Sequence, residues 1–137
     1  MVKEFNFFVQ KGEVKKQSPD INLSNATFKE SLDRLELANS LFGQAKPKYV
    51  LENSYEAMRE AADAVLYKEG YKSYSHEASI VYLKSKSFSD SEIYEFDRFR
   101  KIRNRIKYYG GDCEEKDAKS ALDLAKRLLG KIKQLLL

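Results

Sequence analysis

At 137 residues the chain has room for one hydrophobic core, so a single domain is expected. It is 42% hydrophobic and 34% charged, the balance of a globular protein, and no apolar run approaches the ~18 residues of a membrane span. One cysteine, Cys113, and one histidine, His76, exclude an internal disulfide, a cysteine-built metal site and a multi-histidine centre within one chain. The net charge of +4 is modest, so the cations matter through clustering rather than total. The N-terminus has no signal-peptide core, and the expectation is a cytoplasmic protein with no membrane partner.

Residues 3–10 (KEFNFFVQ) read as one or two helical turns docked through Phe5, Phe8 and Val9. Lys11 to Asp20 reads as an extended connector broken by Gly12 and Pro19. This divides the chain into a docking segment and connector, 1–21, and a helical bundle, 22–137. The first long helix is predicted from Ser24 to Gly43, with Phe28, Leu32, Leu35 and Phe42 at helical spacing. The second starts after Lys46, with Pro47 in its first turn, and stops before Gly70. Its apolar arc holds Val50, Leu51, Tyr55, Ala57, Met58, Ala61, Ala62, Ala64 and Val65, and the alanines let a neighbouring helix come close. Its other side carries Glu52, Glu56, Arg59, Glu60 and Asp63, either as a solvated face or with one acid meeting Arg103 or Arg100 across a cleft.

A third, shorter helix is predicted from Ser75 to Lys84, with His76 in its first turn, either as a cap or surface group or approaching a cleft from this helix. Lys84 to Ser91 has turn composition, and Ser89 followed by Glu92 has the form of a capping box that starts the next helix. Gly110 and Gly111 end that helix. The last helix begins near Glu114 with the apolar stripe Ala118, Ala121, Leu122, Ala125, Leu128, Leu129, Ile132 and Leu135. Leu135, Leu136 and Leu137 either join the core or extend into a subunit interface. The fold class is therefore all-α: an antiparallel up-and-down four-helix bundle with short extra N-terminal and connecting helices.

The fourth of these helices carries the chemistry. From Arg98 to Lys107, six of ten residues are cations and none is an acid. Phe96, Phe99, Ile102, Ile106 and Tyr109 share one arc of the helical wheel, and Arg103 falls inside it. A guanidinium there keeps its charge and needs either a carboxylate or a water-filled groove. One reading packs the Arg103 stem on the core and sends its head to water or a carboxylate. The other lets Arg103 and Asn104 line a polar cleft that receives phosphate. Cations interleaved with Tyr108 and Tyr109 also suit single-stranded RNA or nucleotides, by neutralising phosphate and stacking on bases. The sequence has no glycine-rich phosphate loop, no serine elbow and no coenzyme motif, and no cofactor or metal is expected.

The run Arg100 to Gly110, RKIRNRIKYYG, resembles the signature of HEPN domains, and the resemblance extends over about residues 22–135. It implies a helical bundle that forms a homodimer, with two signature helices facing a shared cleft. It further implies metal-independent ribonuclease activity in many members, from an arginine followed a few residues later by a histidine. Many members also pair with a minimal nucleotidyltransferase as toxin and antitoxin, and in some pairs a tyrosine near the signature is adenylylated. By this resemblance Arg103 is the family arginine and Asn104 the polar residue after it, but Tyr108 stands where the histidine would be. A phenol holds its proton near neutral pH, where an imidazole exchanges it. The expected function is a dimeric nucleotide- or RNA-binding protein, or a regulatory partner of such a nucleotidyltransferase, without turnover. Arg100, Arg103, Lys107 and Tyr109 would bind the nucleotide or RNA. The alternatives are a ribonuclease toxin in which Arg103, Asn104 and Tyr108, or Tyr109, act, and a plain scaffolding bundle.

Overall fold

The computed structural model describes residues 3–137. Among them are six α-helices and one two-stranded ribbon, an all-α bundle. Helix α1 spans Phe5–Gln10 and buries Phe8, while Val9, expected to dock, is exposed. Helix α2 spans Ile21–Leu41 and starts upstream of Ser24, because the Asp20 carboxylate accepts from the Leu23 N–H at 2.9 Å and caps it. Ser24 is instead a tie between helices, its hydroxyl donating to the Ala64 carbonyl at 2.7 Å.

Helix α3 spans Pro47–Glu69 and is the element on which the others pack. Its whole expected arc, Val50 to Val65, is buried, joined by Ser54 and Leu66. Ala57, Ala61, Ala62 and Ala64 are fully covered, and small side chains there let α2 and the last helix approach closely. The helix ends at Gly70 in the left-handed region, φ +89°, where a Cβ would lie 2.6 Å from the Gln17 carbonyl oxygen.

That close approach brings the connector to the body. The expected extended stretch forms strand β1, Val14–Lys16, antiparallel to β2, Tyr71–Ser73, with Val14 opposite Ser73 and Lys16 opposite Tyr71. Helix α4, His76–Tyr82, follows, capped by the Ser75 hydroxyl on the Ala78 N–H. Phe8 and Val14 close over Ala78 and Val81 of α4. The expected loop after α4 is partly helical: Leu83–Lys86 forms a 3₁₀ turn, and Phe88 beyond it is buried.

Helix α5 spans Asp90–Tyr109 and opens with the reciprocal capping box of Ser89 and Glu92. Ile93, Phe96, Phe99, Ile102 and Ile106 are buried as their spacing predicts. Tyr109 departs from the wheel, 83% exposed at the final residue of α5, where the turn into Gly110 leaves nothing to cover it. Helix α6 spans Glu115–Leu136 and buries Ala118, Ala121, Leu122, Leu124, Ala125, Leu128, Leu129 and Ile132. Leu135 and Leu136 rest partly against the core, whereas Leu137 is exposed. No helix among the described residues is long and apolar enough to cross a membrane.

Gly70 combines a left-handed φ with a backbone contact that a side chain would break. Gly70→Ala should therefore cost about 2 kcal/mol or more in chemical denaturation. An unchanged midpoint would show that β1 does not depend on this approach.

Candidate anion-binding cleft

Helices α3, α4 and α5 meet around a cleft of about 490 Å³ that α2 reaches from one side through Arg34. Its other lining residues are Glu52, Glu56, Arg59, His76, Arg103, Lys107 and Tyr108. Four cations and two carboxylates line this concave, partly desolvated site, and around it Arg34 also pairs with Glu30 and Glu60 and Arg59 with Glu60 and Asp63.

Arg103 is 6% exposed, and both readings of it hold at once. Its Nη2 donates to Glu56 Oε1 at 2.8 Å, and Nη1 donates to Asn104 Oδ1 at 3.2 Å. The guanidinium lies 5.6 Å from the Tyr55 ring centroid and 5.9 Å from that of Tyr108. The same head also lines the cleft. Glu56 is the one acid of the α3 face that crosses to α5, and it holds Arg59 on its other oxygen at 2.8 Å. Burial works against the Glu56 carboxylate, but the Arg59 and Arg103 charges outweigh it and keep it below its usual range. Arg59 continues the chain to Asp63 at 3.0 Å, and Asp63 accepts from the Ser79 hydroxyl of α4 at 2.7 Å. The acidic face is therefore half-buried and organised as a carboxylate–guanidinium network, not simply solvated.

The sequence-predicted residues divide. Arg103, Lys107 and Tyr108 come together at the cleft, and Asn104 steadies Arg103 from beside it. Lys107 makes no ion pair among the described residues, and its Nζ sits 5.5 Å from the Tyr108 ring centroid. Arg100 is held elsewhere, at 2.7 Å from Asp97 and 3.6 Å from Glu77. Tyr109 does not line the cleft.

Sequence reading passed over Arg34, which carried no signal at all, and Asp97, a buried acid on the same helix as its partner Arg100. Of the two readings of His76, the approach to the cleft is the one the structure shows. Ser75, not His76, caps α4, and the imidazole is half-buried with Nδ1 3.0 Å from the Tyr55 hydroxyl. Burial pushes the His76 pKa down to about 4, with the Arg59, Arg103 and Arg100 charges adding to it and Glu56 opposing. The signal that could have found it is its place one residue past a Ser cap, on a helix that must pack against α3.

The HEPN domain family model matches residues 24–135. The chain belongs to the HEPN domain family. The match spans α3, α4 and α5, so every residue lining the cleft falls inside the HEPN domain. No curated protein matches the sequence.

The low His76 pKa has a consequence for the stability of this HEPN domain. The ordinary value of 6.5 falls to about 4 on folding, so the unfolded chain binds more protons between those values. Stability contributed by neutral His76 is therefore complete above about pH 6.5 and lost as pH falls toward 4. Thermal melts from pH 7 to 4 should show a steeper loss for wild type than for His76→Gln. Parallel curves would contradict a buried neutral imidazole.

Proposed function

We propose that the protein binds the phosphates of single-stranded RNA or of a nucleotide in the cleft between α3, α4 and α5, without turnover. The observation that carries this reading is the convergence of Arg34, Arg59, Arg103 and Lys107 on one concave site with Tyr108 beside them. Membership of the HEPN family supports a role connected with RNA or nucleotides. The cations supply phosphate neutralisation, and the Tyr108 ring offers a stacking face. Glu56 keeps Arg59 and Arg103 in position while leaving Lys107 free to take a phosphate without first giving up a partner.

Two further elements belong to the same reading. Pairing of two chains would bring two copies of Arg103 toward one ligand, and a homodimer is part of the proposal. Regulation by a minimal nucleotidyltransferase, of the toxin–antitoxin kind, has in its favour that Tyr108 and Tyr109 stand exposed at the end of α5, within reach of another protein. The alternative of a metal-independent ribonuclease that uses Arg103 with Tyr108 or Tyr109 has one observation behind it, the presence of Arg103 and Tyr108 in the same cleft.

Fluorescence anisotropy with a labelled single-stranded RNA tests the binding reading. Affinity should fall as salt rises, and Lys107→Ala should weaken binding about fivefold and lower the salt slope by about 0.7. Binding that ignores both salt and Lys107 would overturn it. RNA cleavage that disappears in Arg103→Ala would replace it with the ribonuclease. Light scattering over a dilution series should give a dimer, and a monomer throughout would remove that part of the proposal.

A further inference from the structure

His76 lines the cleft but belongs to neither the basic helix nor the ion-pair network. Tyr55 is fully buried, and the His76 Nδ1 is the hydrogen-bond partner of its hydroxyl among the described residues. The phenol stays neutral, because burial and the neighbouring Glu56 raise its pKa well above the ordinary value. Its proton therefore needs an acceptor. If Nδ1 carried the imidazole proton, it would donate to the Tyr55 oxygen and leave the phenol O–H buried with nowhere to point, which folded proteins rarely allow. If the phenol donates to Nδ1 instead, both groups are satisfied and the imidazole proton sits on Nε2. The ring lines the cleft, and Nε2 has no protein partner among the described residues.

We infer that His76 is a tautomer-locked hydrogen-bond donor to a phosphate oxygen in the cleft, with Tyr55 as the positioning residue that fixes its Nε2–H. The inference rests on the phosphate-binding reading above and deepens it by naming the atom. Around the ring stand Tyr55, Glu56 and Arg59 from α3, Arg100 and Arg103 from α5 and Glu77 beside it on α4. Among those guanidinium groups a neutral N–H adds a donor without adding a charge. The same lock removes His76 as a general base, since Nδ1 accepts from the phenol and Nε2 is already protonated. A ligand phosphate at Nε2 is thus met by an uncharged donor in a cleft that Arg59 and Arg103 also line.

Long-range ¹H–¹⁵N correlation spectra of histidine-labelled protein at pH 7 read the tautomer directly. Wild type should show the proton on Nε2, and single-stranded RNA should shift that signal without changing the tautomer. His76→Ala should weaken RNA binding about tenfold, the worth of one hydrogen bond to a charged group. His76→Gln, whose amide nitrogen stands in for Nε2–H, should bind within about threefold of wild type. Tyr55→Phe keeps the ring packing and should give a mixture of tautomers. A proton on Nδ1 in wild type, which requires no variant to fold, overturns the inference. So does His76→Gln binding no better than His76→Ala. Both results leave phosphate binding standing if wild type still binds RNA in a salt-dependent way. Wild type that binds no RNA removes the phosphate-binding reading and the donor role together.

Discussion

One carboxylate holds the cleft open. Glu56 reaches from α3 to Arg103 on α5 at 2.8 Å, at a position of the α5 wheel where neighbouring residues meet apolar side chains. A guanidinium cannot shed its charge to suit such a place, and without Glu56 it would be a buried cation with an amide and two aromatic rings beside it but no counter-charge. Satisfied by Glu56 and Asn104, it keeps its face toward a water-accessible hollow. The same carboxylate also holds Arg59, which Asp63 holds from its other side, so two of the four cleft cations share one acid. Burial opposes the Glu56 charge and the two arginines outweigh it, so the carboxylate stays ionised between them.

The fold explains why this trio lies where it does. α3 is central, with its alanine-rich arc against α2 and α6 and its carboxylate-bearing side turned to α5 and α4. Helices α2, α4, α5 and α6 all pack on α3 and cannot also close on each other at every level, and the cleft occupies a gap where α4 and α5 meet α3. The Asp63–Ser79 hydrogen bond and the Tyr55–His76 pair tie α4 to α3 along that gap. The β1–β2 ribbon and α1 then cover the outer side of α4, so His76 reaches the site on a helix fixed from both sides.

Much of this was legible in the residues. Pro47 and Gly70 bracket α3, Ser89 and Glu92 start α5, and the periodic apolar positions of α3, α5 and α6 are the core. These are local signals, carried by backbone geometry and spacing. What escaped reading is what depends on elements distant in the chain. The pairing of β1 with β2 joins residues more than fifty positions apart, beyond any turn signature. His76 looked like a helix-start residue because only the packing of α4 on α3 brings it to Tyr55. The wheel put Arg103 in the apolar arc correctly, yet could not choose among Glu52, Glu56, Glu60 and Asp63 for its partner. It also placed Tyr109 in that arc, although periodicity loses its meaning at a helix end with no neighbour to pack against.

The central claim is that an anion enters beside the Glu56–Arg103 pair. Titration of isotopically labelled protein with short single-stranded RNA, followed through the arginine Nε–H resonances in NMR spectra, tests it most directly. The Arg103 and Arg59 signals should move together and saturate with the backbone amide of Lys107. Perturbations confined to the exposed outer face of α5, around Lys101 and Tyr94, with Arg103 and Arg59 unmoved, would contradict it.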